Sequence, residues 1–175
     1  IDLSDINKLI SFSNRKKALK EFKENYKIGY VSQKAVMFAG TVNYNVAYGD
    51  NGKAETTEKQ IKEAIRVAQG EEFVLKMDNK YETDIAQGGG NISGGQKQRL
   101  AIARAIARDP EIYIFDDSFS ALDYKTDSTL RKELKKYTKD ATSLIVAQRI
   151  GTIMNADKII VLDNGNLVGI GTHKE

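Results

Sequence analysis

The 175-residue chain contains no cysteine, which excludes both a disulfide framework and a thiolate metal site. That fits a reducing, cytosolic setting. No apolar run approaches the roughly 20 residues that a helix needs to cross a bilayer. Nor does any stretch have the charged, apolar and small-residue parts of a signal peptide. Any link to a membrane is therefore expected to come through a partner or a further segment. An excess of either charge is also missing. Lys and Arg number 27 against 24 Asp and Glu, leaving +3, too little bias to advertise nucleic acid. Hydrophobic residues make up 41% and charged ones 29%, ordinary for a globular domain and long enough for one sizeable core. The first residue is Ile1 rather than Met and the last is Glu175, so the chain is expected to be an internal piece of something longer.

The most informative stretch runs from Asn91 to Asp117. Ser93 is a good N-cap, and Leu100, Ala103, Ile106 and Ala107 fall on one helical face with Lys97, Arg104 and Arg108 elsewhere, which predicts a helix from Ser93 to the stop at Pro110. Gly94 and Gly95 leave backbone N–H groups uncovered in its first turn. With the dipole adding about half a positive charge there, that tip suits an anion such as phosphate. The apolar run Ile112 to Phe115 follows the pattern of a buried parallel strand. Asp116 and Asp117 close it, at the strand end where open α/β sheets hold their ligands. Alone, Ser-Gly-Gly is usually a loop and Asp-Asp a solvated turn; the order and spacing of the pieces carry the argument.

With Ser120-Ala121-Leu122-Asp123 following, these residues resemble the signature motif, Walker B strand and D-loop of an ATP-binding-cassette (ABC) nucleotide-binding domain. Ile28 to Gln33, then Val36 to Val42, look like that family's Q-loop and the segment after it. The resemblance spans nearly the whole chain. It implies an α/β, P-loop-NTPase-like (RecA-like) core over residues 1–39 and 93–175, with a helical subdomain inserted over 40–92. It implies ATP and Mg²⁺ as cofactors, with Asp116 and Gln33 at the metal, Asp117 as a weak base and Gln33 sensing the γ-phosphate. Ser93, Gly94, Gly95, Gln96 and Asp123 would face the ATP of a second nucleotide-binding domain. A transmembrane domain is the other implied partner, at the cytoplasmic face of the cell membrane; nucleic acid is not implied.

Other segments fill in the pattern. Residues 15–27 pair Lys17 with Glu21 and Lys20 with Glu24 beside an apolar stripe of Leu19, Phe22 and Tyr26, a solvated helix face rather than a basic binding patch. This region is about ten residues longer than the family usually allows. Thr57 caps a helix with Ile61, Ala64, Ile65 and Ala68 at helical spacing, after a turn at Asp50-Asn51-Gly52. Phe73, Leu75 and Met77 are candidate core residues. Thr83 to Gly89 lies where exporters of the family carry a loop that contacts the other half-transporter, but Ala86, Gln87 and Gly88 depart from it. Gly88-Gly89-Gly90 reads as flexible linker. Thr126 to Tyr137 is a second amphipathic helix with Leu130 and Leu134 inward. Ser143 to Ala147 is a second buried strand. Ile159 to Leu162 and Leu167 to Gly169 form a hairpin around Asp163-Asn164-Gly165. His173 matches a tail phrase of the family and is given no catalytic role.

Three features depart from the family pattern. No Gly-x-x-x-x-Gly-Lys-[Ser/Thr] loop occurs: the sole Gly-Lys, Gly52-Lys53, is followed by Ala54. In the family's order that loop lies upstream of Ile1, so truncation is the expected reason. Asp117 stands where the family has Glu, with a side chain about 1 Å shorter in reach. Gln148 in Val146-Ala147-Gln148-Arg149 replaces the switch His; it donates a hydrogen bond but neither becomes cationic nor transfers a proton. The two changes resemble the degenerate half of a heterodimeric exporter, in which the intact signature serves the partner's competent site. Two rivals remain at this point: a soluble ABC ATPase acting on DNA or ribosomes, which predicts coiled-coil inserts or basic linkers that the chain does not show, and a non-catalytic interaction module.

Overall fold

The computed structural model describes residues 27–49 and 55–175. The Lys-rich stripe of residues 15–26, the opening Ile1 to Ile6 and the Asp50-Asn51-Gly52 turn lie outside them. Three parallel strands form the centre: β1 (Ile28–Val31), β4 (Ile112–Asp116) and β5 (Thr142–Val146), in the order β1-β4-β5. Between β1 and β4 come β2 (Gly40–Thr41), α1 (Val42–Ala47), α2 (Glu58–Val67), α3 (Glu71–Leu75), β3 (Asp84–Ile85) and α4 (Gly94–Ala107). Then follow α5 (Tyr124–Tyr137), a single turn α6 (Ile150–Ile153), and the hairpin β6 (Ile159–Asp163) and β7 (Asn166–Gly171).

The local signals work as the side chains demand. The Ser93 hydroxyl accepts from Gln96 N while the Gln96 side chain returns to Ser93 N, a capping box that starts α4. Thr57 and Gln60 do the same for α2. Asp123 caps α5 through Thr126 N at 2.9 Å, so this helix opens at Tyr124, two residues before its predicted start. Asn164 and Gly165 both take positive φ, 48° and 79°, as the two-residue hairpin turn between β6 and β7 requires.

Topology decides what is buried. β1 to β4 and β4 to β5 step the same way across the sheet, so right-handed crossovers put α4 and α5 on one face. On that face lie Val31, Tyr113 and Phe115, all buried, with the Tyr113 and Phe115 rings stacked 5.9 Å apart. The α4 helix is wedged between the sheet and α1 and α2 and is buried on nearly every side, Gln98, Ile102 and Ala105 included. The predicted one-sided apolar stripe is therefore too narrow. On the other face Tyr30, Leu144 and Val146 are exposed. The expectation of a second buried strand at 143–147 is thus corrected: among the described residues β5 has only β4 as a neighbour and no helix over its outer side.

Two smaller corrections follow. Leu75 is exposed and Val74 takes its place in the core, because residues 71–75 form a helical turn rather than an extended run that would align 73, 75 and 77. Nor is Gly88-Gly89-Gly90 a loose linker. Gly88 N donates to Met37 O at 3.1 Å and Lys97 Nζ to Gly88 O at 2.9 Å. Gly89 is buried at φ 70°, where a Cβ would stand 2.9 Å from the Lys97 side chain and 3.1 Å from that of Met37; a larger residue would be strained there.

Candidate functional site

The end of β4 gathers polar side chains from three connections. Asp116 is the last strand residue, and Asp117 follows in the left-handed region at φ 44°, which Asp tolerates better than most residues. Its backbone N–H donates to Val146 O at 3.0 Å, and the turn lifts its carboxylate above the sheet edge. Two amides meet that carboxylate: Gln33 Nε2 lies 3.1 Å and Gln148 Nε2 3.3 Å from the same oxygen, Oδ2. The sequence singled out all three residues, and the fold brings them together from the ends of β1, β4 and β5. Asp116 Oδ2 accepts from Tyr30 Oη at 2.9 Å. That bond, then partial desolvation and the carboxylate's charge, push the Tyr30 phenol above its ordinary value. Tyr30 had no sequence signal beyond its place one residue before the strand end.

Ser93, Gly94, Gly95 and Gln96 sit at the N-terminal tip of α4. Ser93 and Gly94 are exposed, and a Cβ built on Gly94 meets nothing within 4 Å, whereas one on Gly95 lies 3.5 Å from Ala121 O. The tip thus borders the loop carrying Ser120 to Asp123 and is open outward at Gly94. The Asp123 carboxylate accepts from the Thr126 backbone and side chain and is held below its usual range. Arg149 Nη2 donates to Ser120 O at 3.1 Å, joining the segment after Gln148 to the same loop.

The backbone around the irregular stretch 32–39, which is half-buried to exposed except at Met37, is held by side chains from elsewhere. Ser118 Oγ donates to Val31 O at 2.8 Å, Gln98 Nε2 to Ser32 O at 3.1 Å and Arg104 Nη1 to Val36 O at 3.0 Å. Fully buried Asn45 accepts from Phe38 N and donates to Phe38 O, both at 2.9 Å. Arg104 also binds Asn45 O and Oδ1 and packs over the Phe38 ring; burial lowers its guanidinium below the ordinary value. Sequence reasoning missed these supports. Asn45 shares a helical face with Val42 and Val46, and Gln98 with Ile102 and Ala105, so a polar residue in an apolar stripe was the available signal.

Among the described residues, no group of three or more His, Cys, Asp or Glu converges to hold a metal. A divalent ion held by one carboxylate, waters and substrate phosphates needs no such group, and Asp116 fits that donor set. The described residues supply carboxylates, amides and a helix tip. A glycine-rich phosphate cradle is absent from the sequence.

A parallel sheet with carboxylates at its C-terminal edge, an amide from the end of the neighbouring strand and a glycine-led helix tip defines a nucleotide-handling α/β domain. Comparison with known proteins narrows the class. A profile described as ABC transporter matches residues 6–120. An uncharacterized ABC transporter ATP-binding protein of Mycobacterium tuberculosis is 49% identical over 147 residues, covering 84% of this chain and 25% of that protein. One from Bacillus subtilis is 45% identical, covering 85% and 25%. A Staphylococcus aureus protein, provisionally named a multidrug export ATP-binding/permease protein, is 40% identical with the same coverage. The solved structure of a bacterial Atm1-family ABC exporter with ATP bound superposes with a TM-score of 0.79 at 34% identity, over 85% of this chain and 26% of that one. The chain belongs to the ABC transporter family, with the fold of an exporter-type ATP-binding domain, and spans about a quarter of the length of the curated relatives it matches.

Proposed function

We propose that this chain works within the nucleotide-binding half of an ABC exporter, where ATP binding and hydrolysis are coupled to transport across a membrane. In this reading residues 1–39 and 93–175 belong to the core and 40–92 to a helical subdomain. The chain docks against a transmembrane domain at the cytoplasmic face and pairs with a second, different nucleotide-binding subunit. Its own site is degenerate, and its α4 tip serves the partner's ATP.

One observation carries the degenerate-site reading: Gln33 and Gln148 both spend an amide N–H on the same oxygen of Asp117. A general base must hand its proton on, and neither amide accepts one. Asp117 is therefore braced by neutral donors. Asp116 is the Mg²⁺ ligand, with Tyr30 holding one of its oxygens. Bound Mg²⁺ would neutralise charge on the phosphates during transfer. The Gln33 amide, on an exposed side chain, is free to turn from Asp117 toward a γ-phosphate. At the other site Gly94 leaves an open approach to the backbone N–H groups of the α4 tip, and Ser93 retains its hydroxyl proton for a phosphate oxygen while capping the helix.

Two measurements test this. The 175-residue chain alone is expected to show no micromolar Mg-ATP binding by calorimetric titration, since it contains no phosphate-binding loop; micromolar affinity would show that other residues hold the triphosphate. In the assembled heterodimer, with the partner's competent site disabled, Asp117→Glu combined with Gln148→His is expected to raise single-turnover hydrolysis. The longer acid gains about 1 Å of reach and the imidazole supplies a titrating partner. No gain would remove the chemical basis of the degenerate site.

A further inference from the structure

Three successive side chains of α4 donate to backbone carbonyls of three different loops: Lys97 to Gly88 O at 2.9 Å, Gln98 to Ser32 O at 3.1 Å and Arg99 to Gln69 O at 2.7 Å. Gln98 differs from its neighbours. It is only 2% exposed, and an uncharged amide is tolerated at that depth when a hydrogen bond offsets its desolvation. Its acceptor belongs to the peptide joining Ser32 to Gln33, a planar unit that includes the backbone nitrogen of Gln33. The preceding carbonyl, Val31 O, is held by Ser118 Oγ at 2.8 Å, from the residue next to Asp117. The backbone entering Gln33 is thus clamped from the α4 side and from the β4 side. Its side chain then reaches Asp117 Oδ2 at 3.1 Å.

We propose that Gln98 is a positioning residue: its buried amide fixes the Ser32–Gln33 peptide and thereby transmits any shift of α4, whose Ser93–Gly94 tip is exposed, to the amide of Gln33 on Asp117. An N–H···O contact already at 3.1 Å tolerates only a few more tenths of an ångström before it fails. A small rotation of α4 is therefore enough to release Gln33 and leave Asp117 Oδ2 with Gln148 as its remaining amide donor. The consequence for turnover rests on the proposed roles of Gln33 and Asp117; the mechanical link is a property of the chain by itself.

The test reads the side-chain amide of Gln33 by NMR in the full 175-residue chain. Gln98→Met keeps the shape and removes the donor; Gln98→Asn keeps the amide but withdraws it from Ser32 O. Both are expected to lower protection of the Gln33 side-chain N–H protons about five- to tenfold, the worth of roughly one hydrogen bond. Backbone protection at Leu100 and Phe115 should hold, and the packing control Ile102→Val should leave Gln33 unchanged. Should Gln98→Met lose protection throughout, Gln98→Asn decides. Wild-type Gln33 protection in whichever variant stays folded overturns the link, as does an equal effect from Ile102→Val. In the assembled transporter with the partner's competent site disabled, the same variants should lower the single-turnover rate at this chain's own site more than they weaken ATP binding there. If Gln33 is released but that rate stays unchanged, the link stands and the role assigned to Gln33 falls.

Discussion

On the proposed heterodimer reading, Gly94→Asp is expected to lower the steady-state ATPase rate by about 10² to 10³, because a carboxylate beside the α4 tip repels the phosphate and offsets the tip's N–H groups, a loss of the size seen when a preorganised donor to developing charge is removed. Asp117→Asn, in contrast, should leave the rate within about twofold if, as proposed, it touches a site that contributes little; even a local base loss of about 10² to 10⁴ then removes only that small share. The fold separates this result from misfolding. A side chain at Gly94 enters open space, and an acid in the first turn of a helix is favourable by about 0.3–1 kcal/mol. Gly94→Asp should therefore melt no lower than the parent while losing turnover, through the negative charge it brings to the α4 tip. Asn is as much at ease as Asp in the left-handed backbone of position 117, so that variant also folds. Collapse with Asp117→Asn and survival of Gly94→Asp would reverse the assignment of the two sites.

Asn45→Leu should destabilise the chain by about 3–5 kcal/mol, a large part of the roughly 5–15 kcal/mol that holds a typical domain. Asn45 is fully buried and makes four side-chain bonds: from Phe38 N, to Phe38 O, to Thr41 O and from Arg104 Nη2. Leucine fills the volume but leaves those groups without partners at about 1–3 kcal/mol each where water does not reach them. The full sum is reduced because Phe38 and Arg104 are not themselves fully buried. Asn45→Asp keeps the acceptor toward Phe38 N and Arg104 and loses both donated bonds, so its cost should be intermediate. Chemical denaturation of the three proteins checks the order. A loss below about 1 kcal/mol for Asn45→Leu would mean that the 38–45 turn is held by its neighbours and not by this amide.

The helices were legible from local signals, the candidate site only through resemblance, and the sheet environment through neither. Ser93, Thr57 and the apolar spacing along α2 and α5 are local signals, and the chain obeys them within a residue or two. Gln33, Asp117 and Gln148 were found by resemblance; nothing local says that residues 84 and 31 positions from Asp117 meet at one of its oxygens. The all-round burial of α4 depends on packing against both the sheet and the α1–α2 pair, which a single helical period does not report. Ser143 to Ala147 reads as buried because its residues are apolar, yet exposure of β5 is set by what lies beside it. Asn45, Gln98 and Ser118 escaped notice because each works on backbone carbonyls, which carry no sequence identity.

The hairpin β6–β7 has a consequence for how this polypeptide comes apart. Its residues Ile160, Val161, Leu162, Leu167, Val168 and Ile170 are all exposed, and among the described residues its strands pair only with each other. A two-stranded ribbon without cover is marginal in water. In the 175-residue chain the ribbon is therefore expected to exchange its amide protons before the three-stranded sheet does, and to be cut first at the exposed Asn164-Gly165 tip.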